Sequence, residues 1–526
     1  MTARHRPNIL LVLTDDQGPW ALGHETPELV TPTLDRLIAE GTYLRRFFCA
    51  SPVCSPARAS LLTGRMPSAH GVHDWLRPEG VEPPQPPGSY LEQRDSIAPL
   101  LDRGGYRCGL AGKWHVGPSD VPAPGYESWY AHRYGGGPYY DAPIWEVDPA
   151  TGIPAVPARA GTEPRYLTDA IGDEAIAFLD RHGTADRTAR PFFLQLATTA
   201  PHDPWTGGDH PAELLDLYAD TDFPNVPAPP WHPWFLPEQF AGPVADRHAH
   251  LAGYAAAVTG VDRMLARVLE ALRRRGMLED TIVLFTSDNG FSCGHHGIWG
   301  KGNGTWPLNF WENSIRVPFI AWGPGIASGR VCDDLVSATG LYETLAELTG
   351  ARPSPDPLRA SSGFADLLRK ENGGSGSADE RPSTGAGQPT ARGGQPSTEL
   401  GQPSAGAEQP SARHRQQADA EIVVHDEYGG HRMIRTDRWK LVLRREGPAE
   451  LYDLETDPEE AANLADSRSH RAVREDLANR LEAFFARASD PRLDGWQLPV
   501  SGLGQSGPMR GDSGPVADAP ELFPPR

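Results

Sequence analysis

Asn8-Ile9-Leu10-Leu11-Val12-Leu13 is a continuous apolar run with polar residues at both ends. Such a run predicts a strand that is buried on both faces, as strands of parallel sheets are. Further strands are predicted at residues 106–111, 192–197, 281–286 and 317–322. Between them, helical spacing predicts helices at residues 31–41, 96–104, 166–182, 247–276 and 341–350. This alternation predicts an α/β fold with a large, mostly parallel sheet sandwiched by helices.

Two long segments between the predicted elements, residues 118–161 and 201–243, show little periodicity. Both are dense in Pro, Gly, Trp and Tyr. They predict long loops that cover one end of the sheet, where substrate-selecting surface usually lies.

The composition changes between residues 369 and 420, which are rich in Gly, Ser, Pro, Gln and Ala. Gln-Pro recurs there every seven residues, and a proline in every repeat excludes a coiled coil. We therefore expect a disordered insert at 369–420 that follows an N-terminal catalytic domain at 1–368. Short strands and a helix predict a small C-terminal α+β subdomain at 421–490, and a Pro/Gly-rich tail follows at 491–526.

The formal net charge of -20 argues against nucleic acid or an anionic membrane surface as the main partner. The five cysteines are widely scattered and contain no CxxC pair, which argues against a disulfide framework and suits a reducing compartment. The apolar run after Arg4 and Arg6 is too short for a signal peptide, and no segment has the length of a membrane span. The expectation is a soluble, cytoplasmic protein.

Polar residues follow two of the predicted strands. Asp15 and Asp16 come after the first strand, and Asp288 and Asn289 come after the strand at 281–286. Sites in such sheets form beyond the carboxyl ends of the strands. Carboxylate and amide oxygens suit Ca²⁺ or Mg²⁺, although the same residue types also make simple turns. No Cys/His set has the spacing of a zinc site.

Residues 52–64 (PVCSPARASLLTG) place a cysteine just ahead of an apolar helical turn. Pro56 fits the first turn of a helix, so Cys54 would lie at or just before the helix N-terminus, where negative charge is favoured. Arg58, one turn further on, would point back toward the same place. A lone cysteine in such a position is more often a buried structural residue. Its function therefore depends on the rest of the chain.

Two lysines and two histidines lie in short Gly- or Pro-rich segments that follow other predicted elements: Lys113, His115, His202 and Lys301. Each of them alone fits an ordinary surface loop equally well. Together with Arg58 they could neutralise a tetrahedral anion, and the two imidazoles could transfer protons. They would form a local basic pocket in an acidic protein.

The sequence resembles the type I sulfatases of the alkaline-phosphatase superfamily from Pro7 to about Leu464, apart from the insert. Residues 52–64 match the first signature of that family throughout. Residues 105–115 (GYRCGLAGKWH) match the second, except that Cys108 stands where Ser or Thr is usual. NILLVLTDDQ at 8–17, SDNG at 287–290, RVP at 316–318 and ELYDL at 450–454 are also similar.

The resemblance implies an alkaline-phosphatase-like fold and a sulfuric ester hydrolase. A formylglycine-generating enzyme would oxidise Cys54 to Cα-formylglycine, whose hydrate attacks the sulfur of a sulfate monoester. The implied ligands of one Ca²⁺ ion are Asp15, Asp16, Asp288, Asn289 and the modified residue at 54. The remaining implied roles go to Arg58 and Lys113, which steady the nucleophile and the sulfate, to His115 as base, and to His202 and Lys301 at the sulfate and the leaving oxygen.

Two alternatives stay open. A phosphonate or phosphodiester hydrolase of the same superfamily would use the same nucleophile, and a catalytically silent binding protein would keep Cys54 as a thiol. The pair of Asp15 and Asp16 together with the complete first signature favours a sulfatase. The expected substrate is a small aryl, choline or sugar sulfate.

Overall fold

The computed structural model of the protein describes residues 6–77, 90–91, 94–147, 154–155, 165–183, 186, 189–369, 421–425, 430–498 and 504–505. The predicted disordered insert, from residue 370 onward, and most of the predicted tail lie outside these ranges. Within the described residues, no helix is both long and apolar enough to cross a membrane.

The described strands are numbered in chain order. They are β1 Asn8–Thr14, β2 Thr42–Leu44, β3 Phe47–Phe48, β4 Arg107–Lys113, β5 Ser128–His132, β6 Ile144–Val147, β7 Pro154–Ala155, β8 Phe192–Ala197, β9 Thr281–Ser287, β10 Ser292–Cys293, β11 Trp299–Gly300, β12 Arg316–Val317, β13 Phe319–Trp322, β14 Arg330–Cys332, β15 Val336–Ser337, β16 Ile422–His425, β17 His431–Arg435, β18 Trp439–Arg444 and β19 Glu450–Asp453.

The described α-helices are numbered in the same way, and short 3₁₀ turns lie between some of them. They are α1 Pro32–Glu40, α2 Cys54–Thr63, α3 Pro67–His70, α4 Ile97–Arg103, α5 Leu167–His182, α6 Ala212–Leu215, α7 Ala241–Ala245, α8 Arg247–Arg274, α9 Glu312–Ile315, α10 Leu341–Thr349, α11 Ala365–Leu368 and α12 Arg471–Ala488.

A sheet of ten strands forms the centre of the molecule, in the order β14-β2-β13-β9-β1-β8-β4-β5-β6-β7. The five strands in the middle of this order, β9, β1, β8, β4 and β5, are parallel to one another. Antiparallel pairs extend the sheet on both sides, through β13 and through β6. The predicted α/β class with a large, mostly parallel sheet is confirmed.

The two faces of the sheet pack on two layers of helices. Leu10 and Val12 of β1 lie in a buried cluster with residues from α1, α5 and α8. On the opposite face, Ile9 and Leu11 lie in a second cluster with residues from α2, α4 and α10. Each fully buried aliphatic side chain stabilises a fold by about 2 kcal/mol. Because β1 buries such side chains on both of its faces, it is held from both sides.

Two predictions about the elements are wrong. Residues 118–161 are not one long loop, because β5, β6 and β7 within them extend the large sheet. The strand expected at 317–322 is divided at Pro318, which has no N–H to donate to a ladder. β12 pairs with β3 in a small separate sheet, and β13 pairs with β9 and β2 in the large sheet.

A second, antiparallel sheet of four strands, β16-β17-β18-β19, lies near the C-terminus. Val423 and Ile434 on one of its faces lie in a cluster with α12. Val424 and Met433 on the other face lie in a cluster with Ala57 of α2. The small sheet therefore shares a buried cluster with α2, the helix at whose start the candidate nucleophile was predicted.

Lys440 of β18 is a fully buried cation where the small sheet meets α9. Its Nζ lies 2.9 Å from Oε1 of Glu312. It also donates to Oε1 of Glu460 at 2.5 Å and to the carbonyl oxygen of Phe310 at 2.9 Å. Removing one partner of such a buried ion pair costs about 3–5 kcal/mol, so this cluster helps to fix the small sheet in place.

Candidate active site

Two strand ends bring four polar residues together at the carboxyl edge of the large sheet. β1 and β9 are parallel neighbours, with Thr14 paired to Ser287. The two residues that follow each strand therefore leave the sheet side by side: Asp15 and Asp16 from one, Asp288 and Asn289 from the other. All four are buried. The carboxylates of the three aspartates each place an oxygen within 4.8 Å of the others.

Hydrogen bonds order this cluster but leave some of its acceptors unused. Nδ2 of Asn289 donates to Oδ1 of Asp16 at 2.7 Å, and the backbone N–H of Asn289 donates to Oδ1 of Asp288 at 2.8 Å. Oδ1 of Asp15 and Oδ1 of Asn289 are buried and find no hydrogen-bond partner among the described residues. Burial and the charge of Asp15 raise the pKa of Asp288. Crowded carboxylates with free oxygen atoms fit a hard divalent cation.

Cys54 is the first residue of α2, as residues 52–64 predicted. Val53 before it is extended and provides no side-chain cap, so the first N–H groups of the helix have no capping side chain. All ten residues of α2 are buried, which suits a helix enclosed between the large sheet and the small one. Gly64, with φ 71°, ends the helix and donates its N–H to the Ser60 carbonyl oxygen.

Arg58 links the helix to both strand ends. Its Nε donates to Oδ2 of Asp288 at 2.7 Å, its Nη1 to the Lys113 carbonyl oxygen at 3.2 Å, and its Nη2 to the Thr14 carbonyl oxygen at 3.5 Å. Burial works against the charge of Arg58, but Asp288 and then Asp15 outweigh it and raise its pKa above the ordinary value. The guanidinium therefore stays charged although it is only 1% exposed.

Two buried lysines pair with the remaining carboxylates. Lys113, the last residue of β4, donates from Nζ to Oδ2 of Asp15. Lys301 donates from Nζ to Oδ1 of Asp16 at 2.5 Å. Burial opposes the charge of Lys301, but Asp16 above all raises its pKa well above the usual range. With Arg58 and Asp288, each of three cations is paired with one of three carboxylates.

His115 is a buried, neutral imidazole. Its Nε2 lies 3.1 Å from the carbonyl oxygen of Leu76, so Nε2 carries the proton and donates it. Its Nδ1 is buried and has no hydrogen-bond partner in the part of the chain that the structure describes. Burial, followed by the positive charge of Lys113, lowers the pKa of His115 well below its ordinary value. The free lone pair on Nδ1 is therefore available to accept a proton.

His202 is an imidazole of the opposite kind. Its Nδ1 lies 2.9 Å from Oδ1 of Asp203, and its Nε2 lies 3.8 Å from Oδ2 of Asp16. Burial disfavours the charged ring, but Asp203, Asp15 and Asp16 outweigh it and raise the pKa of His202 to about 10. The site thus holds one neutral and one protonated imidazole, the pair that base and acid functions require.

The structure brings the predicted site residues together at one edge of the sheet. Sequence reasoning missed Asp203, although it directly follows His202 and an adjacent carboxylate could have been noticed. It also missed the backbone contact of Leu76 to His115, for which the sequence carries no signal. Near that contact, the N–H of Gln505 donates to the Trp75 carbonyl oxygen at 2.8 Å, so residue 505 of the predicted tail is attached to this segment.

Comparisons with known proteins identify relatives of this chain. The family model described as Sulfatase matches residues 7–351. The N-acetylgalactosamine-6-sulfatase of Canis lupus familiaris is 32% identical over 386 residues, which cover 70% of this chain and 66% of that protein. The choline-sulfatase of Rhizobium meliloti (strain 1021) is 27% identical over 494 residues, which cover 88% and 83% of the two chains.

A solved structure extends the comparison. The phosphonate monoester hydrolase of Agrobacterium radiobacter superposes with a TM-score of 0.62 at 23% identity, and the match covers 92% of this chain and 96% of that one. At this identity the similarity concerns the fold. Against the N-acetylgalactosamine-6-sulfatases, this chain spans 63% to 66% of their length.

Proposed function

Because the chain belongs to the sulfatase family, we propose that it is a sulfuric ester hydrolase that cleaves a sulfate monoester with a nucleophile at position 54. The observation that supports this most strongly is the cluster of cations around three buried carboxylates at the start of α2. Cys54 begins α2, and Arg58 lies one turn further along the same buried helix. An anionic ester needs cations close by in a protein of net charge -20, and Arg58, Lys113 and Lys301 supply them, each balanced here by one carboxylate.

The thiol of Cys54 stands in the place of a Cα-formylglycine. That group, formed from the cysteine by a formylglycine-generating enzyme, supplies a hydrate hydroxyl as the nucleophile. The uncapped N–H groups of the first turn of α2 favour negative charge at this position. Arg58, fixed by three hydrogen bonds, would orient the nucleophile together with Lys113, which donates to Oδ2 of Asp15.

The free oxygens of the strand-end cluster suit a calcium ion. Asp15, Asp16, Asp288, Asn289 and the residue at position 54 would hold it, and the ion would add positive charge beside the sulfate. A divalent cation would also offset the negative charges that now pair with Lys113 and Lys301. The two ammonium groups could then turn their charge toward the substrate.

The two imidazoles divide the proton transfers. His115 accepts a proton from the hydroxyl at position 54 at Nδ1, while its Nε2 stays fixed on the Leu76 carbonyl oxygen. His202, held protonated by Asp203, faces the leaving oxygen together with Lys301 and offsets the charge that grows there. Proton transfer of this kind contributes about 10²–10⁴-fold to a rate.

Small sulfate esters are the proposed substrates, with aryl, choline and sugar sulfates as the candidates. The two curated relatives are named for N-acetylgalactosamine-6-sulfate and choline sulfate chemistry. The test is a panel of para-nitrophenyl sulfate, choline sulfate and N-acetylgalactosamine-6-sulfate beside a phosphate diester and a phosphonate monoester. We expect the highest kcat/KM on a sulfate ester. A higher kcat/KM on either phosphorus ester would overturn the proposal in favour of the phosphonate or phosphodiester hydrolase.

Metal removal gives a separate expectation. Chelation should abolish activity and lower the thermal unfolding midpoint, because an ion that binds only the folded protein stabilises it. Calcium at about 100 times its Kd should restore activity and stabilise the fold by about 2.7 kcal/mol. Asp288→Asn is the matched variant, and its unfolding midpoint should respond less to calcium. A midpoint and activity that ignore both chelator and calcium would contradict the metal assignment.

A further inference from the structure

Gly135, Gly136 and Gly137 form a short segment that crosses both imidazoles of the site. A Cβ atom on Gly135 would lie 2.2 Å from Cε1 and 2.4 Å from Nε2 of His115. A Cβ atom on Gly136 would lie 2.9 Å from Cε1 of His202. Contacts this short are absent from close-packed proteins, so the glycine backbone itself lies against both rings.

The segment is anchored at each end by a buried aromatic ring. Before the segment, His132 is the last residue of β5 and is fully buried. Gly137 lies against the His132 ring, since a Cβ atom built on Gly137 would be 3.3 Å from Cε1 of His132. After it, the hydroxyl of Tyr139 donates to the His202 carbonyl oxygen at 2.7 Å. The Tyr139 carbonyl oxygen accepts from the N–H of Leu167 at 2.7 Å. Both ends of the glycine segment are therefore attached to buried parts of the fold.

The rings themselves have few other restraints. Among the described residues, the one hydrogen bond of the His115 ring is made through Nε2, and its buried Nδ1 has no partner. A single hydrogen bond does not fix the orientation of an imidazole plane, so the packing of Gly135 against the ring is a second restraint. His202 is held by Asp203 at one nitrogen, while its other nitrogen lies 3.8 Å from the nearest carboxylate oxygen of Asp16.

We propose that Gly135 and Gly136 are positioning residues for hydrolysis. Gly135 keeps Nδ1 of His115 directed toward the hydroxyl at position 54, and Gly136 keeps Nε2 of His202 directed toward the leaving oxygen. Only glycine serves at these positions, because any Cβ atom would displace an imidazole. This inference rests on the proposed sulfatase function and assigns the two glycines to its two proton transfers.

The two positions should therefore differ in their kinetic effect. Gly136→Ala disturbs the acid at the leaving oxygen, so its loss in kcat/KM should grow as the leaving group becomes poorer. We expect a loss of about 10-fold on para-nitrophenyl sulfate and about 100-fold or more on phenyl sulfate. Gly135→Ala disturbs the base, and its loss of about 100-fold should be similar on both esters.

Gly207→Ala and Gly208→Ala are the matched controls, because no atom lies within 4 Å of a Cβ built at either position. All four variants are compared with the wild type in full-length protein at equal Cys54 conversion, measured by the mass of its peptide, and the thermal unfolding midpoint of each is recorded. The expected pattern is two controls that match the wild type and two losses that differ in their leaving-group dependence, with midpoints close to that of the wild type.

The outcomes separate this inference from the function on which it rests. A wild type without activity on any sulfate ester overturns the proposed function. An active wild type with Gly135→Ala and Gly136→Ala variants within threefold of it overturns the positioning role. The positioning role is also overturned if Gly136→Ala lowers kcat/KM by the same factor on both esters. It is likewise overturned if a lowered unfolding midpoint accounts for the loss in kcat/KM of either variant.

Discussion

At the scale of single residues, the site holds three ion pairs that are almost completely buried. Arg58 pairs with Asp288, and two lysines pair with Asp15 and Asp16. Burying charged pairs seldom stabilises a protein more than apolar side chains of the same size would. Their presence is better explained by the need to present cations to an anionic ester, as the proposed reaction requires.

Arg58→Lys tests how far kcat and stability depend on the geometry of the side chain at position 58 and how far on its charge. Lysine keeps the positive charge but cannot reach Asp288 and two carbonyl oxygens from one planar group. We expect a loss of about 100-fold in kcat, because small displacements in a site of this kind have such effects. The free energy of unfolding should fall by about 2 kcal/mol, since charge-assisted hydrogen bonds are lost.

Arg36→Lys is the matched control, because Arg36 is 48% exposed and forms only an i,i+4 pair with Glu40 on α1. Its stability and kcat should equal those of the wild type. An Arg58→Lys enzyme with wild-type kcat would show that only the charge at position 58 matters.

The sequence largely predicted which residues meet at this edge of the sheet, but not which of them pair with one another. Asp15 and Asp288 follow runs whose strand character is evident, and parallel strands place such residues at one edge. The pairing of particular cations with particular carboxylates depends on side-chain rotamers. The contact of His115 with the Leu76 carbonyl oxygen depends on tertiary packing, which no local pattern encodes.

At the scale of elements, the N-terminus of α1 is capped by a side chain from another helix. Thr31 makes no capping hydrogen bond to α1. Instead, Asp262 of α8 accepts from the N–H of Leu34 at 2.8 Å and from the N–H of Thr33 at 3.2 Å. This contact ties α1 to α8 on the same face of the large sheet.

Asp262→Ala should therefore destabilise the protein without affecting catalysis. Two buried N–H groups lose their acceptor, so the free energy of unfolding should fall by about 2 kcal/mol. Urea unfolding measures this change, and kcat should stay within twofold of the wild type. Asp262→Asn keeps one acceptor oxygen, so its free energy of unfolding should fall by less than that of Asp262→Ala. Equal stability of both variants and the wild type would contradict this account of the cap.

Element types followed from the sequence where a run was long and uniform, as at β1, β9 and α8. The failures lie where elements are short. β5 and β6 have five and four residues, and dense Pro and Gly around them conceal any period. Such strands form because an existing sheet edge offers them hydrogen bonds, which is a tertiary effect.

At the scale of the whole molecule, several buried histidines make stability depend on pH. Burial lowers the pKa of His73 and His210 to about 4, and burial together with His296 lowers that of His295 to about 3. These groups are neutral in the folded protein, whereas the unfolded chain takes up protons near pH 6.5. The stability they contribute is complete above about pH 6.5 and is lost as the pH falls through that value toward 4.

We expect the free energy of unfolding to decrease between pH 7 and pH 5, by up to about 1.4 kcal/mol per pH unit for each additional proton bound on unfolding. His210→Gln should flatten this dependence, because glutamine does not titrate and can still accept from the hydroxyl of Tyr166, which lies 3.0 Å from Nδ1 of His210. Denaturant unfolding at several pH values measures both slopes. A free energy that is constant over this range, or equal slopes for both proteins, would contradict the account.

The proposed reaction requires that residue 54 acts as a formylglycine and that the surrounding residues serve it. The most direct measurement determines the converted fraction of Cys54 by peptide mass, where conversion removes about 18 Da, and the hydrolysis rate of para-nitrophenyl sulfate in the same preparations. We predict a rate proportional to the converted fraction, with no activity for unconverted protein or for Cys54→Ala. Full activity in protein whose Cys54 remains a thiol would contradict the account.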